Sequence, residues 1–124
     1  MADFEVVGLD HIVLRCADVE RSLAFYRDTL GLAPVRVDEW RAGRAPFPSV
    51  RCSPTTIIDL VADPPDGTNV QHFCLVVRGI DPAGLAARFP GAARADGLFG
   101  AQGYASGVYV RDPDGNTVEL RSYA

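Results

Sequence analysis

The feature that most constrains this chain is a pattern that occurs twice. "DHIVLRCADVERSLAFY" opens as a strand, passes Asp18 as a helix cap and continues with Val19, Leu23, Tyr26 and Leu30 at helical spacing until Gly31. Extended segments follow around "PVRVDEW", "FPSVRC" and "TTIIDLV", divided by turn residues. From Asn69 the order returns: the strand "VQHFCLVV", a short helix "PAGLAARF", then extended pieces near "GLFGAQ", "SGVYVRD" and "TVELRSY". The chain therefore reads as α+β, one domain over residues 1–124 made of two strand-helix-three-strand modules at about 8–63 and 69–123. The Pro-Pro and Asp-Gly turn signals of "ADPPDGT" mark the join.

The repeat carries chemistry as well as shape. The only histidines, His11 and His72, fall on the first strand of each module, and Asp59 and Glu119 fall on the last. The two pairs are offset by the same interval to within one residue. Side chains alternate across a strand, so His11, Val13 and Arg15 share one face while Ile12, Leu14 and Cys16 share the other. By the same alternation Asp59, His72, Glu119 and Arg121 turn away from the apolar face that takes the helix. A lone histidine in an apolar strand is more often a core residue than a ligand. Two histidines and two carboxylates at matched positions are harder to treat as packing, because an unpaired buried charge is expensive. One dication would neutralise both carboxylates and satisfy both imidazoles, and this donor set suits Zn, Ni, Fe or Mn. Asp59 has a second reading, a carboxylate paired with Arg15 or Arg121.

Composition narrows the function classes. A chain of 124 residues, 48% hydrophobic and 23% charged, fits a soluble globular domain with a real core. A net charge of −4 argues against nucleic acid as partner. No apolar run is long enough to span a bilayer, and "MADFEVVG" lacks the basic end and apolar block of a signal peptide, so a cytoplasmic location without membrane contact is expected. Cys16, Cys52 and Cys74 show no CxxC spacing and read as reduced, buried thiols. All 12 basic residues are arginine, which removes lysine-dependent chemistry. "DPDGN", Asp112 to Asn116, is a tight turn that sets the register of the last strand. "GLFGAQGYASG" lacks dinucleotide-binding spacing and reads as a mobile rim, while Trp40, Phe47, Phe99, Tyr104 and Tyr109 are either core or cavity lining.

In "LDHIVLRCADVERSLAFYRDTLGL", "QHFCLVV" and "VYVRDPDGNTVELRSY" the chain resembles the vicinal oxygen chelate superfamily, the glyoxalase, bleomycin-resistance and dioxygenase family, over Gly8 to Tyr123. The resemblance implies a pair of βαβββ modules whose eight strands form a cupped mixed sheet around a metal site. It implies His11, His72 and Glu119 as metal ligands and Asp59 as the fourth, in the place where glyoxalase I has glutamate. Glu119 is then the catalytic base. Arg15 matches an arginine that contacts the glutathione carboxylate in glyoxalase I, whereas the family asparagine at the next such position is Asp63 here. Arg15 and Arg121 are the expected contacts for an anionic substrate. The leading expectation is a metal-dependent enzyme of the glyoxalase type acting on a small substrate with adjacent oxygens, as a homodimer. A metal-free, antibiotic-sequestering protein of the bleomycin-resistance type is the alternative. An extradiol dioxygenase ranks lower because it uses a further pocket histidine, as does a fosfomycin-type thiol transferase, which needs more cationic contacts.

Overall fold

The computed structural model describes residues 7–100 and 102–123. The start "MADFEV", read above for a leader, and Ala101 of the glycine-rich stretch lie outside them. The chain divides between Asp66 and Gly67 into two compact units.

The first unit holds β1 (His11–Cys16), α1 (Val19–Ala24), a π-helical turn (Phe25–Thr29), β2 (Ala33–Val35), α2 (Val37–Arg41), β3 (Ser49–Ser53) and β4 (Thr56–Ala62). Its four strands pair in the order β1-β4-β3-β2, with β1 and β4 parallel and the others antiparallel. Asp18 caps α1 by accepting from the Arg21 amide at 3.1 Å, which satisfies one of the orphan donors of the first turn. The helical face then buries Leu23 and Tyr26 completely, with Leu14, Cys16, Val50, Ile58 and Leu60 from the strands. Each such aliphatic side chain contributes roughly 1.5–3 kcal/mol on burial. Gly31 ends the segment at φ 78, a left-handed conformation that costs glycine little.

One expected strand is cut short. "PVRVDEW" is extended only through Val35, because Arg36 takes a left-handed backbone at φ 59 and Val37–Arg41 turns helical. That conformation costs about 1–2 kcal/mol for a residue with a Cβ. It is offset by the Arg36 guanidinium, which lies 4.9 Å from the Phe47 ring centroid and donates to the Phe47 carbonyl at 3.2 Å. Neither interaction is a periodic signal, so the helix is hidden in the sequence.

The second unit holds β5 (Phe73–Val76), α3 (Pro82–Arg88), β6 (Ala93–Gly100), β7 (Gly103–Arg111) and β8 (Thr117–Ser122). The order β5-β8-β7-β6, with β5 and β8 parallel, repeats the first sheet. Asp81 caps α3 by accepting from the Gly84 amide at 2.7 Å, and Pro82 occupies the first turn, where a missing N–H costs nothing. Leu85, Val108, Val110, Val118 and Leu120 form its core. His72 lies one residue ahead of β5 rather than within it. "GLFGAQGYASG" forms paired strands on either side of its turn, with a register shift between Ala95 and Leu98 where Gly97 sits at φ 67. In the "DPDGN" turn the Asp112 carboxylate accepts from the amides of Asp114 and Asn116 and from the Asn116 side chain at 2.7 to 3.0 Å. That turn locks Tyr109 opposite Glu119. Of the three thiols expected to be buried, only Cys16 is; Cys74 is left off the core face by alternation, beside Glu119, and Cys52 sits at the register shift between Arg51 and Ser53, where alternation breaks.

Candidate functional site

In the first unit the ladder aligns Val13, Asp59 and Ser49 in one row across β1, β4 and β3. Asp59 is 6% exposed, and its Oδ1 accepts from the Ser49 hydroxyl at 2.6 Å. Its Oδ2 lies 3.9 Å from His11 Nε2. On the other side of the ring, His11 Nδ1 meets the Asp10 carboxylate at 2.7 Å. That hydrogen bond, helped by the Asp59 charge and opposed by desolvation, raises the imidazole above its ordinary value.

The second unit repeats the row as Cys74, Glu119 and Tyr109. Glu119 is 2% exposed, and its Oε1 lies 3.7 Å from His72 Nε2. His72 Nδ1 is engaged by the Gln71 side-chain oxygen. Thus each histidine has one nitrogen held by the side chain of the residue before it and the other facing a buried carboxylate. This is how ligating imidazoles are oriented.

The two carboxylates differ in what holds them. Glu119 Oε2 receives Arg121 Nε and Nη2, both at 2.7 Å, and the Cys74 thiol at 3.3 Å. Arg121 is itself 3% exposed, and its remaining donors reach the Leu98 and Phe99 carbonyls and the Tyr123 hydroxyl. Burial alone pushes Glu119 upward, but the hydrogen bonds from Arg121, Cys74 and Tyr109 outweigh it and hold the carboxyl below its usual range. The Cys74 thiol is pushed up to about 11 by burial and by the adjacent carboxylate, so it stays a neutral donor. Gly107 makes room for this arrangement: a Cβ there would sit 2.8 Å from Glu119 Oε2.

The expected site residues are therefore brought together in pairs, His11 with Asp59 and His72 with Glu119. Within either unit, among the described residues, no three His, Cys, Asp or Glu side chains cluster as a metal site would need. Each pair offers one imidazole nitrogen and one carboxylate oxygen, which fits half of a borderline divalent-metal shell. Arg15 and Arg121, expected to meet an anionic substrate, are both engaged by carboxylates of their own unit, Arg15 by Asp63 at 3.0 Å. Sequence reasoning missed Asp10, Gln71, Ser49, Cys74 and Gly107. The first two carried a signal, an oxygen-bearing side chain directly before each histidine in both repeats.

The comparisons with known proteins agree with this frame. A model of the Glyoxalase/Bleomycin resistance protein/Dioxygenase superfamily matches residues 8–120. The 3-methylcatechol 2,3-dioxygenase of Pseudomonas putida is 34% identical over 82 residues, 64% of this chain but only 28% of that enzyme. Among solved structures, an integron cassette protein from the mobile metagenome of V. cholerae is 26% identical with a TM-score of 0.70, covering 98% of both chains. A lactoylglutathione lyase from Agrobacterium tumefaciens is 25% identical with a TM-score of 0.61, covering 94% of this chain and 93% of that one. With the duplicated module and its paired histidines and carboxylates, the chain belongs to the Glyoxalase/Bleomycin resistance protein/Dioxygenase superfamily.

Proposed function

We propose that this protein is a metal-dependent enzyme of the glyoxalase type, acting on a small substrate with adjacent oxygens. His11, His72 and Glu119 hold the metal and Asp59 is the fourth ligand. The observation that carries this reading is the matched pair of contacts, His11 Nε2 to Asp59 and His72 Nε2 to Glu119, at 3.9 and 3.7 Å. Each module supplies two donors, so a full shell takes two modules, of one chain or of two copies in a homodimer. A divalent cation bound there supplies Lewis acidity toward the substrate oxygens.

The protein's own residues do the rest. Asp10 and Gln71 fix the imidazole orientations. Arg121 pins Glu119 Oε2 and leaves Oε1 on the histidine side, where it can take a proton from a substrate carbon. Glu119 begins ionised, because its pKa is lowered, and so it accepts a proton rather than delivering one. We read Arg121 as serving Glu119, and Arg15, half exposed beside Asp63, as the reserve contact for an anion.

A second reading, extradiol ring cleavage, is favoured by the identity to the catechol dioxygenase. Both histidines are used as ligands here, which leaves none for the proton transfer that such enzymes assign to a pocket histidine. Metal analysis of the purified protein, with and without chelator, combined with a screen of 2-oxoaldehyde thiol adducts and catechols, tests the proposal. Divalent metal and chelator-sensitive proton transfer are expected. Catechol cleavage would move the assignment to the second reading, and metal-free antibiotic binding would move it to sequestration.

A further inference from the structure

Carboxylates engage several of the chain's 12 arginines. Arg15, Arg27, Arg41, Arg94 and Arg121 each form an ion pair. Arg88 and Arg111 do not, among the described residues. Arg111 donates only to the Gly115 carbonyl, and the nearest acid of its own turn, Asp112, has its carboxylate turned into that turn. Both arginines line one cavity of about 620 Å³ in the second unit. Its walls include Phe89, Tyr109 and Thr117, and no acidic side chain. That volume is within the range of small-molecule sites.

The cavity adjoins the half-site already described. Tyr109 is the ladder partner of Glu119, and its ring centroid is 5.8 Å from that of His72. Thr117 lies two residues before Glu119 on the same strand and so faces the same way. In a chain of net charge −4, two guanidiniums without carboxylate partners beside two aromatic rings make an anion site with an apolar wall.

We propose that this cavity binds a small organic carboxylate with an aromatic or hydrocarbon body, its anionic end gripped by Arg88 and Arg111 and its body lying against Phe89 and Tyr109. As a substrate class this rests on the functional reading above; as a binding site it does not. The wall shared through Tyr109 puts the body of the ligand beside the His72 and Glu119 pair.

Isothermal titration of the full-length, chelator-treated protein with phenylacetate and with neutral phenylacetamide tests the site without metal. The parent should prefer the anion at least tenfold. Arg88→Gln and Arg111→Gln should each weaken phenylacetate binding at least fivefold, while Arg94→Gln, whose guanidinium pairs with Asp96, should not. Equal affinity for the two ligands, no binding of phenylacetate at millimolar concentration, or a preference that survives both substitutions overturns the proposal. If the preference holds in a protein that takes up no metal, the anion site stands and the metal reading falls. If metal binds and the preference is missing, the reverse follows.

Discussion

The two modules share a backbone plan and differ in how each steadies its carboxylate. In the first, Asp59 is steadied by a neutral hydroxyl from Ser49, and a further carboxylate, Asp10, stands behind the histidine. In the second, Glu119 is one methylene longer and held by a buried arginine, with a neutral amide, Gln71, behind the histidine. The shared strand plan thus places a histidine and a carboxylate at equivalent positions, while the residues around them differ in charge. The first pair stays electronegative and the second is balanced by Arg121. Position and charge are separable, and only the former follows from the fold.

The largest effect should come from removing the balancing cation. Arg121→Ala leaves a buried carboxylate without its partner, and loss of about 3–5 kcal/mol of stability is expected in urea unfolding. Ser49→Ala, the corresponding change in the first module, removes one hydrogen bond to a charged group and should cost about 1–3 kcal/mol. Equal costs would erase the distinction between the modules. Gly107→Ala, which drives a Cβ against Glu119, should cost about 1–3 kcal/mol through overpacking and weaken metal binding with it.

Acid sensitivity should also be unequal. Glu119 has a folded pKa below its ordinary 4.5, so its contribution is fully present above that value and is lost as pH falls through the lower, folded one. Unfolding midpoints of Glu119→Gln should therefore fall less steeply than those of the parent below about pH 4.5. The smallest effect concerns His11. Its pKa is raised first by the Asp10 hydrogen bond, so Asp10→Asn should move its NMR titration downward in metal-free protein, while Gln71→Ala should leave stability nearly unchanged. Because His11 is raised, its small contribution is present below its ordinary 6.5 and fades as pH rises through the folded value.

The architecture was legible because it rests on periodic signals: alternation put Leu14, Ile58, Val118 and Leu120 in the core and turned His11, Asp59 and Glu119 from it. The helix Val37–Arg41 was illegible because one left-handed residue, Arg36, redirects the chain and no pattern announces it. Pairing of His11 with Asp59 and of His72 with Glu119 followed from strand order, as β1 lies beside β4 and β5 beside β8. The partner of Arg121 was harder to read. Glu119 and Arg121 are two residues apart on one strand, and their contact depends on the open space at Gly107, their cross-strand neighbour. Side-chain rotamers of that kind leave no trace in spacing.

The proposed function requires the two histidine and carboxylate pairs to act as halves of one metal shell. Titration of chelator-treated protein with Zn²⁺, comparing the parent with His11→Ala and His72→Ala, tests it most directly. One metal per chain in the parent, with affinity reduced at least tenfold in both variants, is the predicted result. If His11→Ala bound Zn²⁺ as the parent does, or if the parent took up no metal at all, the pairing of the two half-sites would be contradicted.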